Sequence, residues 1–72
     1  GIGGNAGLPL YQFDLNGNLV KVWQYSLEAY EFYGIPQKQF EYAIHDRHPL
    51  LDSYWSRKDS ININDYYTTK QG

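Results

Sequence analysis

The chain has 72 residues, a formal charge of −2 from six Lys+Arg against eight Asp+Glu, and no cysteine. That is room for one small domain, which buries only about 60% of the surface its unfolded chain exposes, and it excludes a disulfide framework or a thiolate metal site. The acidic balance argues against a dedicated nucleic-acid binder, which ordinarily carries a basic surplus. Aromatic residues make up 18% of the chain, enough large rings to supply a small core.

The opening "GIGGNAG" neither follows a strand nor opens a helix, so it is not a phosphate-cradling loop. Residues 1–8 read as a disordered linker or tag remnant. "LYQFD" (Leu10 to Asp14) and "LVKVW" (Leu19 to Trp23) read as two strands. Asn16-Gly17 between them offers the positive φ angles of a tight hairpin turn. Two strands alone are marginal in water, so the hairpin must pack on something else.

A short helix is predicted from Ser26, whose hydroxyl suits an N-cap, with Glu28 in its positive first turn. Ala29, Tyr30 and Tyr33 form its apolar stripe, and Gly34 ends it. Tyr30 and Phe32, two steps apart, cannot both face the core. A second helix runs from Pro36 or Gln37 to about His45, with Phe40, Ala43 and Ile44 inward and Pro36 in the first turn. Pro49 closes the next loop, and "LLDSYWSR" (Leu50 to Arg57) reads as a third strand. Beyond it, residues 59–72 read as an edge strand, from the alternation of Ile61, Ile63 and Asp65, or as a tail. The fold class is therefore α+β: a hairpin, a helix-turn-helix and a strand completing a short antiparallel sheet, over residues 9–58.

Chemistry-bearing clusters are few. His45, Asp46 and His48 in "HDRH" give at most three metal ligands with no fourth evident, and read as a solvated loop. No nucleophile-elbow pattern is present, and no cofactor is indicated. The surplus tyrosines and phenylalanines read as core and singly exposed rings, because base-stacking rings normally sit in a basic groove. No apolar run approaches the ~20 residues that span a bilayer, and the lack of cysteine fits a reducing cytoplasm.

Taken in order, "FDLNGNLVKVW", "SLEA", "YGI" and the Trp-bearing final strand resemble the nuclease-associated modular DNA-binding domain, the short helix-turn-helix unit appended to homing endonucleases. The resemblance covers roughly Pro9 to Arg57. It implies structural roles for Ser26, Glu28, Ala29, Gly34, Ile35, Phe40, Ile44 and Trp55. It also implies a non-catalytic partner of double-stranded DNA, accompanied by a nuclease or other domain in the parent polypeptide. The second helix would then enter the major groove with Gln37, Lys38, Gln39, Glu41, Tyr42 and His45 toward the bases, and Lys21, Lys38, Arg47, Arg57 and Lys58 would meet phosphates. Gln pairs well with adenine and Lys with guanine. The chain departs from the family at Pro36, Glu41, Tyr42, Asp46 and Asp52-Ser53, changes that remove cationic contacts. A competing expectation follows: a protein-interaction module that keeps the fold and presents aromatic rings, among them Phe32, Tyr42, Tyr66 and Tyr67, to a partner.

Overall fold

The computed structural model describes residues 7–66. Three antiparallel strands, β1 (Leu10–Phe13), β2 (Leu19–Trp23) and β3 (Tyr54–Ser56), form one sheet in the order β2-β1-β3. Two helices, α1 (Ser26–Tyr33) and α2 (Gln37–Asp46), lie between β2 and β3 in sequence. This is the expected small α+β domain.

The hairpin forms where its sequence predicts, but with a different turn. Gly17 alone takes positive φ (90°), while Asn16 does not. The Asp14 carboxylate organises the loop by accepting from the backbone N–H groups of Asn16 (2.8 Å) and Asn18 (3.0 Å). The Gly17 N–H donates to the Asp14 carbonyl at 2.9 Å, and the pairing register slips between Gln12 and Phe13. An Asx-anchored loop followed by a left-handed glycine adds a residue to one strand. A two-residue turn would have needed positive φ at Asn16 as well.

Because β1 is central, side chains on both its faces are covered. Leu10 and Gln12 face the helices with their cross-strand neighbours Trp23 and Trp55, and Leu10, Trp23, Ala29, Tyr30, Phe40 and Trp55 make the main core. Trp55 is fully buried, its ring edge-on to Phe40 at 4.8 Å, while its indole N–H donates to the Leu50 carbonyl at 2.8 Å. Phe13 and Tyr54 pair across the strands toward the opposite face, where the Tyr66 ring lies 4.8 Å from Tyr54. Residues 60–66 therefore return over the second face of the sheet. They do not form the edge strand suggested by the Ile61/Ile63 alternation. Asn62 instead accepts from the Asn64 N–H and starts a 3-10 turn, Ile63–Asp65. The tail beyond residue 66 and the opening residues 1–6 lie outside the described residues.

Two helix-end expectations are corrected. Ser26 is not the N-cap of α1; that position is Tyr25, which makes no side-chain cap. The Ser26 side chain is instead buried, and its hydroxyl donates to the Leu8 carbonyl at 2.7 Å. The Ser26 N–H donates to the same carbonyl at 2.9 Å, so Leu8 belongs to the folded unit rather than to a linker. Pro36 is the N-cap of α2 rather than its first-turn residue, and α2 extends to Asp46. Gly34 does close α1 in the left-handed region, its N–H on the Tyr30 carbonyl.

The third strand is shorter than Leu50 to Arg57. Leu51 (φ 59°) and Asp52 (φ 54°) form a tight reversal, with Leu50 and Ser53 exchanging backbone hydrogen bonds at 2.9 and 3.1 Å. Positive φ at both central residues is the geometry of a two-residue primed turn, which favours Asn-Gly and disfavours leucine. No glycine signals it here, so the sequence reads through it as strand.

Candidate nucleic-acid interface

Helix α2 offers the face that the sequence nominates. Phe40 and Ala43 are fully buried and Ile44 is half-buried, which fixes the rotation of the helix. At 3.6 residues per turn the opposite side carries Lys38, Tyr42 and His45, at i, i+4 and i+7. Tyr42 is 53% exposed and the His45 side chain 87%. Gln39 is exposed on one flank and Gln37 half-buried on the other. The structure thus gathers Lys38, Gln39, Tyr42 and His45 into one stripe.

The acidic residues of α2 are engaged. Glu41 accepts from the Gln37 amide at 3.3 Å and from the Arg57 guanidinium at 3.4 Å. Asp46 lies 3.0 Å from Nδ1 of its neighbour His45. The negative charge that Glu41 would set against a phosphate is therefore partly offset from behind by Arg57.

Arg57 itself is redirected. Expected among the phosphate contacts, it turns inward and joins four elements. Its guanidinium donates to the Pro9 carbonyl (3.0 Å), the Ser26 hydroxyl, the Tyr30 hydroxyl (3.4 Å) and Glu41. A guanidinium fork can satisfy several acceptors at once, which an ammonium on a flexible stem does less well. The cation count of the surface falls accordingly, a change that composition cannot reveal.

The remaining cations among the described residues fall in two places. Arg47 ends α2 in the left-handed region (φ 58°), and with Lys58 it lines a polar cleft of ≈340 Å³ that also includes Ser60, Asn62, Asp65 and Tyr66. Desolvation raises the Tyr66 phenol above its ordinary pKa. Lys21 is on β2, its ammonium 4.7 Å from the Trp23 ring centre, beside a different cleft. His48, the other member of "HDRH", faces the Pro49 carbonyl at 3.2 Å, and among the described residues no group of three His, Cys, Asp or Glu is placed to hold a metal.

A buried polar network that the sequence reading missed lies under the sheet. Gln12, 7% exposed, accepts from the Trp23 indole N–H (3.1 Å) and donates to the Ser53 hydroxyl (2.9 Å) and the Tyr33 hydroxyl (3.4 Å). A glutamine in a short central strand between aromatic neighbours is the only hint of it. The aromatic residues also divide rather than form one patch. Phe32 lies against Trp23 and Tyr33, Tyr42 is on the outer side of α2, and Tyr66 is on Tyr54 across the sheet. Tyr67 is outside the described residues.

The class defined by this geometry is a small α+β domain with a helix-turn-helix whose second helix is accessible along one side. Comparison with protein-family models, curated proteins and solved structures gave no match. No helix among the described residues is long and apolar enough to cross a membrane.

Proposed function

We propose that the domain is a non-catalytic DNA-binding accessory module that lays α2 in the major groove of duplex DNA. The observation that carries this reading is the exposed stripe of Lys38, Tyr42 and His45, with Gln39 beside it, on a helix whose Glu41 is already paired. These residue types serve base edges and phosphates: an ammonium for guanine O6/N7 or phosphate, an amide for adenine, and a phenol and imidazole for either. Arg47 and Lys58, at the far end of α2 and on the segment beside it, would meet the phosphates flanking the groove. With few cations the affinity rests on a small number of phosphate contacts, and the dependence of log K on log salt should be shallow, about −0.9 per contact.

The test is an amide-shift titration of the whole chain with a short duplex at low salt. Shifts centred on Lys38 to His45, with a dissociation constant in the ~10⁻⁴ to 10⁻⁶ M range of ordinary non-specific binding, are the expected result. Lys38→Ala should weaken binding. No saturable shift up to roughly millimolar duplex would overturn the reading, as would shifts confined to residues outside α2 and the Arg47–Lys58 cleft.

A further inference from the structure

The sheet has one conspicuously open side. Strand β2 pairs with β1 along one edge and has no strand on the other among the described residues. Besides Lys21, its exposed residues are apolar: Leu19 is 48% exposed, Val20 57% and Val22 45%. Unpaired backbone N–H and C=O groups beside β-branched side chains form a template for another extended chain. Next to this edge lies a second cleft, ≈490 Å³, lined by Gln12, Val20, Lys21, Trp23, Phe32 and Tyr33. Phe32 is 71% exposed although its ring lies 5.5 Å from Trp23, so it forms a wall of the cleft rather than part of the core.

Charge selects among possible occupants. Lys21 is the central residue of β2 and the only ionisable group on it, and the Trp23 ring holds its ammonium in place. If a second copy paired its β2 antiparallel over the full strand, Lys21 would face Lys21, and like charges directly opposite are destabilising. A strand with a carboxylate at that position gains what self-pairing loses. Side chains alternate along a strand, so the residue two steps from that carboxylate falls opposite Trp23, at the mouth of the aromatic cleft. The residues on either side of that carboxylate fall beside Val20 and Val22.

We infer that the open edge of β2 is a docking site for an extended segment of another protein, with a carboxylate opposite Lys21 and an apolar side chain directed into the Trp23–Phe32 cleft. The site is on a different element from α2 and does not depend on the DNA-binding reading.

The experiment uses the full chain and two capped seven-residue peptides of alternating threonine and valine, one with a central glutamate and one with a central lysine. The glutamate peptide should shift the amides of Leu19 to Trp23 and the Trp23 indole N–H. It should bind roughly 2- to 30-fold more tightly than the lysine peptide, the spread expected when an opposite-charge cross-strand pair replaces a like-charge one. Lys21→Glu should invert that preference and Lys21→Gln should erase it. Because Lys21 is exposed, both variants should keep the shifts of the buried Trp55 indole. Absence of β2 shifts at millimolar peptide would overturn the proposal. So would a preference that survives Lys21→Glu, or a chain that sediments as a dimer held through β2, which would make the occupant a second copy.

Discussion

Arg57 provides the most direct test of how this domain spends its few cations. Replacing it with alanine removes four hydrogen bonds that tie the segment before β1, both helices and the end of β3 to one group. A hydrogen bond to a charged group contributes about 1.5–3 kcal/mol when well made. Two of the four are long, at 3.4 Å, and the Arg57 and Glu41 side chains retain 24% and 34% exposure, so water takes over part of each lost contact. Discounting for both, Arg57→Ala should cost ~2–3 kcal/mol, or roughly 10–20 °C in Tm for a domain of this size. Arg57→Lys keeps the charge but loses the fork and should cost about half as much. Urea unfolding followed by tryptophan fluorescence measures both, with an unchanged slope confirming that the native and unfolded states stay comparable. Duplex titration of the same variants supplies the control. If Arg57→Ala unfolds within ~0.5 kcal/mol of the parent while DNA affinity falls tenfold, the guanidinium works at the surface on phosphate and the inward assignment is wrong.

Gln12→Leu preserves volume but leaves the Trp23 indole N–H without its acceptor and should cost ~2–3 kcal/mol, seen as a lowered urea midpoint; a neutral result would mean that water reaches the indole. Leu51→Asn combined with Asp52→Gly supplies the residues that two positive φ angles favour and should raise stability by ~1–2 kcal/mol in the same assay. The Asp14 carboxyl is held below its ordinary pKa, first by the Asn18 backbone N–H. The group binds a proton less readily when folded, so its stabilising effect is complete above about pH 4 and disappears as pH falls through the lowered folded-state value. Asp14→Asn should therefore flatten the acid limb of the stability curve, and an unchanged limb would show that the loop does not depend on the carboxylate charge. The Tyr66 phenol, raised by burial, has the opposite sign. It stabilises the fold below pH ~10 and loses that effect as pH rises through its folded-state value, so its ultraviolet titration should shift to lower pH on unfolding in urea.

What the sequence made legible is what short-range physics determines. Strand alternation flanking Asn16-Gly17 located the hairpin, and a periodic apolar stripe ending at Gly34 located α1. Phe40, Ala43 and Ile44 set the rotation of α2 and so named its exposed stripe in advance. Most of the misreadings share another cause, a neighbour distant in the chain. Ser26 looks like a cap until Leu8 and Arg57 bury its hydroxyl. Ile61 and Ile63 alternate like a strand until Asn62 bends the segment beneath Tyr54. Leu51-Asp52 is the local exception: leucine at a positive-φ position gives no turn signal, and the reversal is closed by the adjacent Leu50 and Ser53. The charge tally was misleading for the same reason, since counting residues cannot show that Glu41 and Arg57 partly cancel between helix and strand.

The glycine at the hairpin tip has a consequence for the order in which the molecule can be completed. A Cβ at Gly17 would lie 2.6 Å from the Ile63 side chain, so these two positions occupy one niche, contributed by opposite ends of the chain. During synthesis the hairpin emerges well before Ile63, so this contact forms only once most of the domain has been made. A chain halted before residue 63 could assemble the helical side and still leave Phe13 and Tyr54 wet. Ile63 thus closes the space at Gly17, and the positive φ would still strain any other residue there even if Ile63 were trimmed.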